Sequence, residues 1–188
     1  MNTRLILIRH GETDWNMEKR YQGQEDPPLN WRGRDQARRL AEALSVVPLD
    51  VLYSSPLARA RETAEILKEQ FGVPLHFEAR LKEIHLGEWG GKLSAEVAEQ
   101  DPDRHLRWET DAWSVTPPGG ESLFQVRDRV HAAADEIVRR HAGKTIGLVA
   151  HRIPLGLLKV RYGNLDSSLL RKLYLPNAGW EKVELAFR

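Results

Sequence analysis

Residues 5–11 read Leu5-Ile6-Leu7-Ile8-Arg9-His10-Gly11, a branched apolar run that ends abruptly in a cation, an imidazole and a glycine. Four apolar residues without polar alternation predict a strand that is buried on both faces of a sheet. Two later stretches have the same character, Val51-Leu52-Tyr53 and Ile146-Gly147-Leu148-Val149-Ala150. We therefore expect three central strands in one mostly parallel sheet.

Segments with helical spacing separate these strands. Apolar residues recur at three- and four-residue intervals near residues 37–44, 60–71 and 123–137. Alternating strands and helices predict an α/β fold, here a three-layer α/β/α sandwich. Near the end of the chain, residues 171–175 and 180–187 flank a Pro-Asn-Ala-Gly turn and predict a C-terminal antiparallel hairpin. We expect a single domain over residues 1–188, with residues 90–118 forming a small helical lid.

The balanced charge and the composition exclude several classes of protein. The 188 residues include 28 basic and 27 acidic side chains and no cysteine. A net charge of +1 differs from the strongly basic footprint of a nucleic-acid-binding protein, and thiol chemistry is excluded. The N-terminal apolar run is too short for a signal peptide, and no later stretch is long enough to span a membrane. We expect a soluble, cytoplasmic protein without a nucleic-acid or membrane partner.

Reactive side chains follow each predicted central strand. In chain order they are Arg9-His10, then Ser54-Ser55 with Arg59, then His151-Arg152. The carboxyl ends of parallel strands lie at one edge of a sheet, where open α/β folds bind their ligands. Guanidinium groups bind phosphate oxygens bidentately, so this set predicts a site for a phosphate group. Glycines at 11 and 23 are expected to let backbone amides approach that ligand.

Two histidines in one anion site can divide the work of phosphoryl transfer. One acts as an unprotonated nucleophile and the other donates a hydrogen bond to a phosphate oxygen, while neighbouring arginines lower the pKa of both. The leaving oxygen needs a proton, for which Glu83 is the candidate and Glu88 the competitor. Arginines and imidazoles can neutralise the charge that other phosphoryl-transfer enzymes neutralise with magnesium. We expect neither a metal nor a cofactor.

The whole pattern resembles the histidine phosphatase superfamily, which the phosphoglycerate mutases typify. The opening signature runs from Leu7 to Thr13 and continues through Asn16, Arg20, Gln22-Gly23, Asp26, Pro28-Leu29, Gly33 and Gln36-Ala37. Later matches, in the family's order, are Ser54 to Ala60, Thr63-Ala64, Glu83, Gly87, Trp89, Gly119 to Ser122, His151 and Asn177. They extend over nearly the whole chain.

The resemblance implies a role for each matching residue. It implies that His10 becomes phosphorylated and that Glu83 serves first as acid and then as base. The residues implied to hold the phosphoryl group are Arg9, Arg59 and His151, with further substrate contacts from Asn16, Arg20, Gln22 and Gly23.

Three positions depart from the family pattern. Arg152 stands where the family usually has glycine after the second histidine, Gly90 where glutamate is common, and Gly156 where arginine is frequent. The Arg152 side chain has three alternatives: it contacts the substrate anion, it points away, or it crowds the pocket. We favour the second by a narrow margin and keep Arg152 among the substrate-binding candidates.

Three functions are consistent with these residues. The leading hypothesis is hydrolysis of a small phosphate monoester through a phosphohistidine, similar to α-ribazole and broad-specificity phosphatases. The second is mutase-type phosphoryl transfer, which the 35 residues between Glu83 and Gly119 disfavour because mutases resembling this chain carry longer insertions there. The third is a weakly active relative that serves as a binding module. The predicted hairpin also offers an edge for a homodimer.

Overall fold

A mostly parallel sheet forms the centre of the protein in a computed structural model that describes residues 2–185. Its five strands within these residues are β1 (Thr3–Arg9), β2 (Val51–Ser54), β3 (Leu75–Phe77), β4 (Thr145–Ala150) and β5 (Trp180–Leu185). Their order across the sheet is β3-β2-β4-β1-β5, and β5 pairs antiparallel with β1 while the other pairs are parallel. The three predicted central strands, β1, β2 and β4, are confirmed and adjacent.

Helices cover both faces of this sheet. In residues 2–185 they are α1 (Asp14–Met17), α2 (Trp31–Ala43), α3 (Ala58–Phe71), α4 (Ser94–Gln100), α5 (Pro102–Thr110), α6 (Leu123–Arg140) and α7 (Arg152–Gly163). Short 3-10 helices span Leu44–Val46, Ala79–Leu81, Gly87–Trp89, Ala112–Ser114 and Ser167–Leu173. The three segments with predicted helical spacing correspond to α2, α3 and α6, so the α/β class is confirmed. Within 90–118, α4 and α5 with the 112–114 turn form the expected small helical segment.

Successive side chains of β1 point to opposite faces of the sheet and so belong to the two separate layers of the core. Leu5 and Leu7 pack on the face covered by α6 and α7, whereas Ile6 and Ile8 pack on the face covered by α2 and α3. All four side chains are fully buried. Each contributes about 1.5–3 kcal/mol of hydrophobic stabilisation, which fixes the strand that carries His10 at its end.

The predicted C-terminal hairpin is wrong in its first half. Residues 171–173 belong to the 3-10 helix Ser167–Leu173, and only β5 joins the sheet, beside β1. Leu170, which is 3% exposed, packs into the core on the α7 side. Burial of that side chain favours the helical turn over an extended strand. Residues 186 and 187, at the end of the predicted hairpin, lie outside the described residues.

The loop after β1 is clamped against the start of α2. A Cβ atom on Gly11 would clash with the Gly33 carbonyl oxygen, and one on Gly33 would clash with the Glu12 carbonyl oxygen, so both positions require glycine for this close approach. The Gly11 N–H donates to Thr63 Oγ1 of α3 at 3.1 Å. These contacts hold the loop that carries His10. Of the helices described, none is both long and apolar enough to cross a membrane.

Candidate active site

Parallel pairing aligns the ends of β1, β4 and β2. The His10 N–H donates to the Ala150 carbonyl at 3.1 Å, and the Ser55 N–H donates to the Val149 carbonyl at 3.0 Å. As a result, the His10 and His151 rings lie with their centroids 5.2 Å apart. Residues separated by some 140 positions in the chain are therefore neighbours at one edge of the sheet.

A cleft that is partly open to solvent begins at His10 and is lined by both polar and apolar side chains, as small-molecule sites are. The predicted site residues on its wall are Arg9, His10, Asn16, Arg20, Gln22, Gly23, Arg59, Glu83 and Arg152. His151 is fully buried beside His10 and does not contribute to this wall. The predicted residues thus share one site, with His151 next to its floor.

Hydrogen bonding assigns the tautomer of His10. Its Nδ1 lies 2.7 Å from the Gly11 carbonyl oxygen, which can only accept, so Nδ1 carries the proton. The lone pair is then on Nε2. Burial, Arg59 and Arg9 hold the pKa of His10 well below its ordinary value, against the raising effect of the Gly11 carbonyl. His10 is therefore a neutral imidazole with a free nitrogen lone pair at neutral pH.

His151 is held by Ser55. The Ser55 Oγ lies 2.8 Å from His151 Nε2 and also accepts the Leu57 N–H at 3.3 Å. When the Ser55 hydroxyl donates to Nε2, neutral His151 carries its own proton on Nδ1. Burial, with Arg59 and His10 as further causes, lowers the pKa of His151 well below its ordinary value. Ser55 was noted in the sequence only as a strand-end hydroxyl, and its role as partner of His151 emerges from the structure.

Two buried arginines are fixed by backbone carbonyls. Arg9 Nη1 donates to the Leu175 carbonyl at 2.7 Å, and Arg59 donates to the carbonyls of Gly23 and Glu25 at 2.7 and 2.8 Å. Burial lowers the pKa of both guanidinium groups to about 10, so both remain charged at neutral pH. Among residues 2–185, no carboxylate forms an ion pair with either guanidinium, so the two fixed cations form a positive centre beside His10.

Three buried donors of this centre have no hydrogen-bond partner in the part of the chain that the structure describes. They are Arg9 Nε, Arg59 Nε and His151 Nδ1. An unsatisfied buried polar group costs about 1–3 kcal/mol, and charged groups cost more. An anion with several oxygen atoms removes this cost by accepting from all three, so the centre is built for a tetrahedral oxyanion.

Glu83 supplies a carboxyl group at the same cleft. Its Oε1 accepts the Ile84 N–H at 3.0 Å, and its Oε2 lies 3.5 Å from the Ile153 N–H at the start of α7. Loss of hydration raises the pKa of Glu83, while the Ile84 N–H and Arg59 oppose that shift. A raised pKa increases the fraction of carboxylic acid that can donate a proton. Glu88, the competitor, is exposed and does not line the cleft.

A half-buried brace holds the backbone of Glu83. Arg129 of α6 donates to the carbonyls of Arg80 and Lys82, both at 2.7 Å, and to that of Glu83 at 2.9 Å. Its guanidinium also forms an ion pair with Glu121 at 2.9 Å. Sequence reasoning missed Arg129, because an arginine on an amphipathic helix looks like a solvated surface residue. The brace makes Arg129 a positioning residue for Glu83.

The brace predicts a loss of stability in the variant Arg129→Met. Three carbonyls and the Glu121 carboxylate would each lose a charged donor, so we expect the free energy of unfolding to fall by about 2–4 kcal/mol in denaturant titration. Arg127→Met, on the same helix and paired with exposed Asp128, is the control and should change it by less than about 1 kcal/mol. Equal effects of the two substitutions would contradict the brace.

The other residues that were predicted to contact the substrate make different interactions in the structure. The Asn16 Oδ1 accepts from Asn177 Nδ2 at 3.1 Å, and Gln22 has a buried Oε1 without a partner among the described residues. Gly23 has a φ of +52° and contributes its carbonyl to Arg59. The expectation for Gly11 is wrong, because its amide is bound to Thr63 and is not available to a ligand.

Arg20 and Arg152 lie farther out on the cleft wall. Arg20 donates to the Gly91 carbonyl at 2.6 Å and pairs with Glu18 at 2.9 Å. Arg152 is exposed but lines the cleft, with its guanidinium 5.5 Å from the centroid of the Tyr174 ring. The expectation that Arg152 points away is therefore wrong, because this aromatic face holds the side chain over the cleft. Sequence patterns gave no signal for the wall residues Tyr21, Glu109, Arg171 and Tyr174.

Comparison with known proteins agrees with this geometry. A sequence model of the histidine phosphatase superfamily (branch 1) matches residues 5–187. Phosphoserine phosphatase 1 of Hydrogenobacter thermophilus is 38% identical over 185 residues, which cover 98% of this chain and 88% of that protein. A probable phosphoglycerate mutase GpmB of Salmonella choleraesuis is 33% identical over 96% of this chain and 84% of its own length.

Solved structures share the fold over nearly the whole chain. A mycobacterial glucosyl-3-phosphoglycerate phosphatase in complex with VO3 superposes with a TM-score of 0.87 at 34% identity, covering 95% of this chain and 90% of that one. A putative α-ribazole-5'-P phosphatase of Escherichia coli superposes with a TM-score of 0.89 at 27% identity, covering 98% and 91%.

Proposed function

The chain belongs to the histidine phosphatase superfamily, and from this premise we propose that His10 is the residue that carries the phosphoryl group. The protein is an enzyme of the phosphatase and mutase-like type, and it hydrolyses small phosphate monoesters through a phosphohistidine. This assignment as an enzyme is preferred over the third hypothesis, in which the chain serves as a weakly active binding module. The observation that carries the assignment of residues is the set of unpartnered donors of Arg9, Arg59 and His151 around a neutral His10.

The first half of the reaction forms the phosphoenzyme. Arg9, Arg59 and His151 donate to the nonbridging oxygens of the substrate, and the Nε2 lone pair of His10 attacks phosphorus. The bond from phosphorus to the ester oxygen breaks, and the proton of the Glu83 carboxylic acid passes to that oxygen. The alcohol leaves, and Glu83 remains as a carboxylate.

The second half returns the enzyme to its starting state. The Glu83 carboxylate takes a proton from water, whose oxygen attacks the phosphorus of phospho-His10. The nitrogen–phosphorus bond breaks, inorganic phosphate leaves, and Glu83 is again a carboxylic acid. Throughout, the Gly11 carbonyl keeps the Nδ1 proton of His10 in place and so keeps Nε2 as the reacting atom.

Mutase-type transfer is the second candidate function, because the relative from Salmonella is named a probable phosphoglycerate mutase. Hydrolysis is favoured because the cleft is partly open to solvent, so water reaches the phosphoenzyme. Incubation with 3-phosphoglycerate separates the two: we expect inorganic phosphate and glycerate as products. Conversion to 2-phosphoglycerate without release of phosphate would contradict the hydrolase and support the mutase.

Two further predictions from the sequence concern the cellular location and the oligomeric state of the enzyme. We propose that the protein works in the cytoplasm and forms a homodimer. Support for the dimer comes from β5, which is the outer strand of the sheet on its side within the described residues. Sedimentation of the purified protein at twice the mass of one chain supports the dimer, and sedimentation as a monomer contradicts it.

A further inference from the structure

Among the described residues, Arg152 is the arginine of the outer cleft wall that has no ion-pair partner. Within residues 2–185, the guanidinium of Arg152 makes neither a hydrogen bond nor an ion pair and rests only on the Tyr174 ring. The other outer arginines are paired: Arg20 with Glu18 at 2.9 Å and Arg171 with Glu109 at 2.9 Å. Arg171 keeps one buried Nε without a partner among the described residues, whereas the whole exposed guanidinium of Arg152 can form two hydrogen bonds with a new anionic partner without losing an old one.

A second departure from the family pattern supports the position of Arg152. Gly156 lies one helical turn later on α7, on the same face of the helix. A Cβ atom at Gly156 would lie 2.8 Å from Leu170 Cδ1 and 3.2 Å from Tyr174 Cε1. The absence of a side chain therefore lets Tyr174 approach the helix, and Tyr174 in turn provides the aromatic face beneath the guanidinium. Gly156 and Arg152, the two departures from the family pattern, are thus linked through Tyr174.

Arg152 also lies on the side of the leaving group. The next residue, Ile153, directs its N–H toward Glu83 Oε2 at 3.5 Å, and Glu83 is the proposed donor of a proton to the ester oxygen. The phosphoryl group itself is assigned to the buried donors of Arg9 and Arg59. A group attached to the leaving alcohol therefore extends past Glu83 toward Arg152.

We propose that Arg152 is a specificity residue that binds a carboxylate on the leaving group, an inference that rests on the proposed function. The substrates are then small phosphate monoesters that carry a carboxylate a few bonds from the ester oxygen. The planar fork of a guanidinium matches a carboxylate with two parallel hydrogen bonds. One uncompensated cation balances one carboxylate charge, whereas a second phosphate would bring a charge of about −1.5 to −2.

A matched pair of esters tests this proposal. Glycerol 3-phosphate differs from 3-phosphoglycerate in having a hydroxymethyl group in place of the carboxylate. Dissociation constants for both are measured in a His10→Asn background, which prevents turnover, and kcat/KM values are measured with His10 present. We expect at least tenfold preference for 3-phosphoglycerate in both measurements, and at least a tenfold loss of that preference in Arg152→Met.

Two variants serve as controls. Arg139→Met removes one exposed charge outside the cleft and should keep the preference, while Arg152→Lys keeps the charge without the fork and should give an intermediate preference. The change in preference is the decisive readout, because the effect of Arg152 on the pKa of His10 is common to both esters. An unchanged preference in Arg152→Met, or an equal loss of binding for both esters, overturns the proposal.

The two measurements separate this inference from the proposed function. Release of phosphate from both esters with a preference that does not depend on Arg152 contradicts the inference alone. The expected preference in binding, without release of phosphate when His10 is present, contradicts the hydrolase alone. Failure of both esters to bind contradicts both.

Discussion

Replacement of His10 by asparagine is expected to abolish turnover. Asparagine can still donate to the Gly11 carbonyl, but it has no nitrogen lone pair that can attack phosphorus. Loss of a catalytic nucleophile lowers kcat by a factor on the order of 10⁶, so initial rates of phosphate release should fall to background. The site should still bind phosphate, because the donors of Arg9, Arg59 and His151 remain.

The control for this variant is His76→Asn. His76 is an exposed histidine on β3, at the far edge of the sheet, and it does not line the cleft. Its replacement should leave kcat nearly unchanged because the side chain does not reach the cleft, and should change the free energy of unfolding by only about 0.5 kcal/mol. Thermal unfolding of both variants checks that they are folded. A folded His10→Asn protein with wild-type turnover would show that His10 is not the nucleophile.

The loss of kcat/KM in the variant Glu83→Gln should depend on the leaving group of the ester. Glutamine keeps the shape and can accept the Ile84 N–H, but it cannot give up a proton. For an alkyl phosphate we expect kcat/KM to fall by about 10²–10⁴-fold, the usual contribution of a general acid. For p-nitrophenyl phosphate the fall in kcat/KM should be much smaller, because nitrophenolate leaves without a proton.

The pH dependence of the same variant provides an independent test. Glu83 must be protonated to act as an acid, and burial raises its pKa, so wild-type kcat/KM for an alkyl ester should decline as pH rises through that pKa. His10 stays neutral far into the acid range because its pKa is lowered. Glu83→Gln should lose the alkaline decline, whereas Glu88→Gln should keep it. An alkaline decline that persists in Glu83→Gln would assign the acid to another group.

The sequence predicts the centre of the fold well for a physical reason. Strands buried on both faces must be apolar throughout, so β1, β2 and β4 are visible as runs of branched residues. Parallel strands end at one edge, which brings Arg9-His10, Ser55 and His151 together without any knowledge of distances. Arg59 was predicted from its place after β2 and Glu83 from the need for a proton donor, and the resemblance to the family then implied a role for each.

Features that depend on tertiary contacts were missed or misjudged. Residues 171–173 have a pattern that suits a strand, yet burial of Leu170 on the α7 side favours a 3-10 turn. Arg129 looks like a surface residue until the carbonyls of Arg80 and Lys82 are found around it. The orientation of Arg152 depends on Tyr174, 22 positions later, and no local pattern contains that information.

The central claim is that His10 carries the phosphoryl group, and trapping the phosphoenzyme tests it most directly. Glu83→Gln, given a phosphate ester with a labelled phosphoryl group and a good leaving group, should form the intermediate and hydrolyse it slowly. We predict about one label per chain, stable in alkali and lost in acid, on the peptide that contains His10. Label on the peptide of His151, alkali-labile label on Ser55, or no label at all would contradict the account.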